Sequence, residues 1–238
     1  MMALMAATGC GRQNAPEACH AEKNGIYYWK TVLKLDSADI DFLKRHDVGR
    51  VYLRMFDVAE DTYAAIPADK ACPVASVRID NEEYHLLEDS LCGKEFVPVV
   101  YITLDGLKAM AGEEGTLAKN IVTRVRNMCE YNGLPNVEEL QLDCDWTPST
   151  EMSFFNLCDS VKANIKRLGL PWRLSSTIRL HQLAREAPPV DCGVLMVYNT
   201  GNFNDPDASN SIIDAADVEP YLKHLPSYPL HLDVAYPT

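Results

Sequence analysis

Strand-like and helix-like segments follow one another in regular order from Ile26 to Tyr236, and that order restricts the chain to few architectures. Residues 26–30 read as a first strand. Ser37 then caps a helix carrying Ile40 and Leu43, which Gly49 closes. Residues 50–57 and 96–104 read as a second and a third strand, separated by an excursion over 59–94 that holds a short strand at 74–79. A helix with Leu117, Ile121, Val125 and Met128 on one side leads to a fourth strand over 139–147. Pro148 falls where a first helical residue tolerates proline, and Phe154, Leu157, Val161, Ile165 and Leu168 form the stripe of the helix that follows. Three more strands are expected over 172–180, 193–199 and 230–236, with a helix at 218–225 before the last. This alternation indicates an α/β protein with a parallel sheet. A doubly wound sheet would be expected to open on a glycine-rich phosphate loop, and the sequence has none. Polar residues gather instead at the C-terminal strand ends, where a (β/α)8 TIM-type barrel builds its active site. The expected fold is such a barrel, truncated after the seventh strand unless residues 74–79 supply the eighth. Residues 25–238 then form one barrel domain with an insertion at 59–94, and residues 1–24 form a leader and tether.

Composition narrows the partners. The net charge of −12, without a basic run, argues against nucleic acid and anionic membrane surfaces and favours a neutral polymer or a small polar ligand. No apolar run approaches the roughly 18 residues of a membrane helix. The segment Leu4-Met5-Ala6-Ala7-Thr8-Gly9-Cys10 resembles the end of a bacterial lipoprotein signal. That resemblance implies lipidation at Cys10, a polar tether over 11–23 and a place in the bacterial cell envelope, with membrane contact only through the anchor; the alternative is an ordinary tail. The eight cysteines include no CxxC pair and the histidines do not cluster, so neither a metal nor another cofactor is expected. Cys129, Cys144 and Cys158 fall on apolar faces and read as core, whereas a Cys72–Cys92 pairing is left open. The oligomeric state is not legible.

Chemistry concentrates in the fourth strand, Glu139-Leu140-Gln141-Leu142-Asp143-Cys144-Asp145-Trp146-Thr147. Side chains alternate along a strand, so Asp143 and Asp145 share a face with Gln141 and Thr147, while Trp146 takes the other. Two acids on one face are costly unless that face is wet. From the remaining strand ends the expected rim gathers Trp29 with Lys30, Arg54, Asp57, Tyr101, Arg179, His181, Tyr198, Asn199 and Asp233.

Asp143-Cys144-Asp145-Trp146 and Met196-Val197-Tyr198-Asn199 resemble the two hallmark strands of family-18 glycoside hydrolases, D-x-D-x-E and M-x-Y-D. Together with Tyr28-Trp29-Lys30, the run from Tyr52 to Asp57 and the run from Ser176 to His181, they also resemble an uncharacterised family of bacterial secreted or lipid-anchored barrel proteins, a likeness that brings no established reaction. The family-18 resemblance implies hydrolysis of a polysaccharide or glycoconjugate. The departures are specific: Thr147 stands where the pattern has its proton-donating glutamate, and Asn199 replaces an aspartate. Asp145 is then the expected acid and Asp143 its partner, with Glu151 a weaker candidate. Residues two apart on a strand lie about 6.7 Å apart with parallel side chains, so the two aspartates suit a relay rather than an opposed pair across a glycosidic bond. Like-charge coupling to Asp143 would raise the pKa of Asp145. The nucleophile would be a water held by Asp233 or Asp57, or a substrate acetamido group oriented by Tyr198. Two blander readings stand beside this one. Arg54 and Arg179 neutralise the aspartates in a buried ion network, or the chain is a surface glycan-binding lipoprotein whose hydrolase site has degenerated.

Overall fold

The computed structural model describes residues 23–66, 69–79, 91, 93–198 and 212–237. Cys10, Cys92 and Asn199, and with them the lipidation site, the Cys72–Cys92 pairing and one rim position, lie outside the described residues.

Seven parallel strands form one curled sheet: β1 (Asn24–Tyr28), β3 (Val48–Glu60), β6 (Glu95–Ile102), β7 (Glu139–Asp143), β8 (Arg173–Arg179), β9 (Cys192–Met196) and β10 (Leu232–Ala235), hydrogen-bonded in that order. This is the sheet of a TIM-type barrel with one strand fewer, open between β1 and β10. The short strand β4 (Ala71–Val74) runs antiparallel to residues 57–60 at the end of β3, and β2 (Val32–Leu33) pairs with β5 (Arg78–Ile79) in a separate ribbon. The described residues of the excursion, residues 74–79 among them, therefore do not supply an eighth barrel strand.

Helices α1 (Ser37–Arg45), α2 (Leu104–Ala109), α3 (Glu114–Tyr131), α4 (Glu151–Arg167) and α5 (Ala215–Leu222) lie in the connections. Their apolar stripes meet the outward-facing residues of the strands, so that Ile121, Val125, Leu157 and Val161 share one core with Leu53, Phe96, Leu140, Leu142 and Leu174. Some boundaries differ from expectation. Asp36, not Ser37, caps α1, in a reciprocal box with Asp39. The chain leaves that helix through Asp47 in the left-handed region (φ +47°), and Gly49 lies inside β3. Pro148 sits in the turn before α4 rather than at its first position.

The barrel interior is mixed, with polar networks around a small apolar cluster of Val97, Val99, Val194 and Met196. At the N-terminal strand ends, Arg50 pairs with Glu95 (3.3 Å) and Asp233 (3.7 Å), and Arg173 pairs with Glu95 (3.5 Å) and Glu139 (3.6 Å). Above them Ser175 donates to the wholly buried Glu139 (2.5 Å), Gln141 to Ser175 (3.2 Å), and the Tyr27 hydroxyl to Gln141 (2.7 Å). Tyr27 stacks on Tyr52 (4.4 Å between ring centres) and on Trp29 (5.3 Å), forming an aromatic ladder that climbs the inside of β1 to the rim.

Helix α2 crosses the end of β3 at a glycine for a steric reason. A Cβ on Gly106 would stand 2.8 Å from the Val58 carbonyl oxygen, a backbone atom without room to yield. Gly106→Ala is expected to destabilise the fold by about 1–3 kcal/mol through overpacking, seen as a lower urea midpoint at unchanged slope; an unchanged midpoint would mean that α2 lifts off the sheet at little cost.

Candidate functional site

The strand order brings the C-terminal ends of β3, β6, β7, β8 and β9 side by side, and their inward-facing residues form the rim. On β3 the pairing with β6 slips between Arg54 and Phe56, leaving Met55 as the extra residue of a bulge. In a regular strand Arg54 and Asp57, three apart, would face opposite sides. The bulge turns both inward, and Arg54 grips Asp57 with two N–H groups while a third donates to the Trp29 carbonyl (3.2 Å). Arg54 therefore hydrogen-bonds to Asp57 rather than to the fourth-strand aspartates, and it acts on Asp143 only as a nearby positive charge.

Those aspartates share Arg179 instead. Its Nη2 lies 3.0 Å from Asp143 Oδ1, and its Nε donates to Asp145 Oδ1. Asp143 is 2% exposed and also accepts from Thr177 Oγ1 at 2.6 Å. Burial pushes its pKa up, against the opposing pull of Arg179 and the Thr177 hydrogen bond, with Asp145 adding to the rise. Burial works against the charge on Arg179, but the two carboxylates outweigh it and its pKa moves up. Asp145 lies at the open end, its side chain 46% exposed. The hydroxyls of Tyr101 and Tyr198 flank the pair; burial raises both, with Asp145 and Asp143 next in effect for Tyr101, and Arg179 opposing the rise at Tyr198 through a hydrogen bond.

One residue that sequence reasoning passed over organises this corner. Gln182 is fully buried in the short helical turn after β8; its amide donates to the carbonyls of Cys144 (3.4 Å) and Trp146 (3.0 Å) on either side of Asp145, and its oxygen accepts from the Arg179 backbone N–H (2.8 Å). It ties the Asp145 backbone to that of its ion partner. Thr177 was also passed over, although alternation from Arg179 places it on the inward face.

The rim opens into a cavity of about 320 Å³ lined by Asp145, Arg179, His181, Met196, Tyr198 and Tyr221. Tyr198 also borders a larger cleft of about 660 Å³ that descends between β1 and β10 past Trp29, Tyr27 and Tyr52 to Arg50 and Asp233. Asp233 therefore does not join the rim: it stands beside Arg50 at the N-terminal end of the barrel, 3.4 Å from His231. Trp146 faces away from the acids, buried against Phe154 and Phe155. Glu151 is engaged by Arg185 at 2.8 Å. Thr147 is part of the turn ahead of α4: its N–H donates to Thr150 Oγ1 (3.0 Å) and its hydroxyl pairs with Ser149 (3.0 Å). Among the described residues no three His, Cys, Asp or Glu side chains are placed to hold a metal.

Comparison with protein-family models and with curated proteins returned no match. Solved structures are similar in fold. The spore cortex-lytic enzyme SleL of Bacillus cereus superposes with a TM-score of 0.56 at 15% identity, over 89% of this chain and 49% of that one. Chitinase ChiA74 from Bacillus thuringiensis gives 0.55 at 11% identity, over 90% and 48%, and a GH18 chitinase from Pseudoalteromonas aurantia gives 0.53 at 13%, over 89% and 79%. The chain spans about half the length of the first two. Its fold resembles that of these family-18 and cortex-lytic enzymes.

Two outcomes follow from the shared guanidinium. Arg179→Gln leaves Asp143 buried without its cation and is expected to cost about 3–5 kcal/mol, most of it recovered in the double variant with Asp143→Asn; additive losses in the thermodynamic cycle would deny the coupling. The second concerns pH. Because its folded pKa is raised, native Asp143 holds its proton above the usual aspartate value near 4, so its contribution to stability falls as pH rises through the window from there to the raised value. Asp143→Asn should thus gain on the native chain as pH rises from about 4 in urea unfolding; a gap that moves the other way would mean that Arg179, rather than burial, governs Asp143.

Proposed function

We propose that the rim binds a neutral or N-acetylated oligosaccharide without cleaving it, the chain being a glycan-binding member of the hydrolase-like fold. The observation that carries this reading is the state of the fourth-strand end. Arg179 engages both aspartates, and Thr147, where a proton-donating glutamate would stand, is hydrogen-bonded within the turn ahead of α4. What remains suits recognition: a row of stacked aromatics ending at Trp29, the hydroxyls of Tyr101 and Tyr198, and a half-exposed Asp145 carboxylate as acceptor for sugar hydroxyls. The chitinase neighbours give the reason to expect an N-acetylated sugar. Placement at the bacterial cell envelope rests on the sequence around Cys10 and belongs to the same proposal.

Hydrolysis is the second reading, favoured by one observation: Asp145 is half-exposed at the mouth of the rim cavity, where a bound glycosidic oxygen would meet it. In that scheme Asp145 is the acid, Asp143 its buried partner, and Tyr198 orients the substrate acetamido group.

Calorimetric titration with N-acetylglucosamine oligomers, followed by mass spectrometry of the recovered sugar, separates the two. The expected result is saturable binding, intact oligomers, and binding weakened about tenfold or more by Trp29→Ala, equivalent to about 1.4 kcal/mol. Shortened oligomers that disappear with Asp145→Asn would replace the binding reading with hydrolysis. Neither binding nor products from the folded chain, across N-acetylated and neutral oligomers, would sink both.

A further inference from the structure

A second cleft lies on the opposite side of the sheet, where α3 packs over the outer face of β3 and the strand β4 beside it. It measures about 720 Å³, within the usual range of small-molecule sites. Its floor is apolar, built from the buried Phe56, Leu117 and Ile121, while the part-exposed Met128 and the exposed Pro73 and Tyr131 form its accessible sides. Its charge is one-sided. Lys119 and Arg124 line it, and the described lining contains no aspartate or glutamate, in a chain whose net charge is −12.

Arg124 is set in an unusual way. Its guanidinium lies over the Phe56 ring at 5.2 Å, and Nη2 donates to the Ser76 hydroxyl at 3.0 Å. Its Nε is buried with no acceptor among the described residues. A buried donor left unpaired costs about 1–3 kcal/mol, and more when it belongs to a charged group. An aromatic ring under the guanidinium fixes its plane, the arrangement that favours planar recognition of a carboxylate. A surface tuned only for solubility would not place a part-buried, incompletely paired cation against an apolar cavity.

We propose that this cleft binds an anionic amphiphile: a carboxylate carrying an acyl or aryl tail. The tail lies against Phe56, Leu117, Ile121 and Met128, the carboxylate meets the Arg124 guanidinium, and Lys119 at the mouth adds a second, solvent-exposed attraction. The strands of the barrel separate this site from the rim, so the two ligands bind independently.

The test is titration calorimetry of the full chain with sodium dodecanoate below its micellar concentration, with dodecanamide as the uncharged control. The expected result is one saturable site at which the carboxylate binds at least about tenfold more tightly than the amide. Arg124→Met should remove that preference. Lys119→Ala, at an exposed helix position that does not threaten folding, should reduce it by a smaller, salt-sensitive factor. A saturating N-acetylglucosamine oligomer should leave dodecanoate binding unchanged. The proposal is overturned by equal affinity for carboxylate and amide, by affinity untouched in both variants, by no binding, or by competition from the oligomer. Light scattering that shows a dimer dependent on the exposed Tyr131, with no uptake of dodecanoate, would assign the cleft to a second copy of the chain and overturn it as well. Failure of the oligosaccharide titration leaves this proposal standing.

Discussion

One guanidinium holds the functional corner of this protein together. Arg179 neutralises a buried carboxylate, Asp143, and a half-exposed one, Asp145, from the next strand of the sheet. Without it two acids two residues apart would share a low-dielectric corner, and at least one of them would have to stay protonated for the strand to remain in place. The surrounding residues exist to keep that guanidinium where it is. Gln182 fixes its backbone to the strand end beside Asp145, Thr177 takes a lone pair of Asp143, and Tyr198 closes the remaining side with its hydroxyl. Each of these contacts satisfies a polar group that burial would otherwise leave unpaired, which is why such a network can persist inside a sheet.

Much of this was legible in the sequence, and the exceptions have local causes. Alternation alone places Asp143, Asp145 and Gln141 on one face of β7 and Trp146 on the other, because a strand buried on both sides has a strict period of two. The helix stripes are equally direct, since Leu117, Ile121 and Val125 recur at helical spacing and face the sheet. The Arg54–Asp57 pair was not legible, because it depends on a bulge at Met55 that no residue type announces. Gln182 escaped notice because its role is set by the fold of a short helical turn, in which neighbouring residues point in unrelated directions. Asp233 was misplaced along its strand: an inward-facing residue of β10 was correctly put inside the barrel but given the wrong depth.

That depth reveals how the open barrel is finished. Among the described residues no strand fills the seam between β1 and β10, yet Arg50 of β3 reaches past β1 to Asp233 of β10. The reach requires β1 to present almost nothing inward at that level, and Gly25, the register partner of Arg50, meets the requirement: a Cβ there would stand 3.0 Å from the Tyr52 ring. Side-chain charge therefore spans the seam at the bottom, while the cleft above it stays open and is lined by the aromatic ladder. Apolar surface facing an open seam is penalised by water; Arg50 and Asp233 put charge at the foot of this one, while the aliphatic Val97 and Val99 of β6 stay fully buried.

The same reasoning explains why the fourth-strand end does not readily accommodate the D-x-D-x-E pattern. Thr147 does not merely lack a carboxyl group. Its hydroxyl pairs with Ser149, its N–H is taken by Thr150, and Thr150 in turn opens α4. A glutamate at this position loses the hydroxyl contact and lays a longer side chain over a turn whose backbone is directed toward the helix. The Asp145 corner adds a second obstacle, since its strand end is clamped through the Cys144 and Trp146 carbonyls and its carboxylate already has a cation. Restoring acid chemistry would require release from Arg179 as well as a new side chain, and release from Arg179 exposes the buried Asp143 to the full cost of an unpaired charge. The contacts that stabilise the fold at this corner therefore act against proton transfer there, and they leave intact the aromatic and hydroxyl surface with which a sugar would be held.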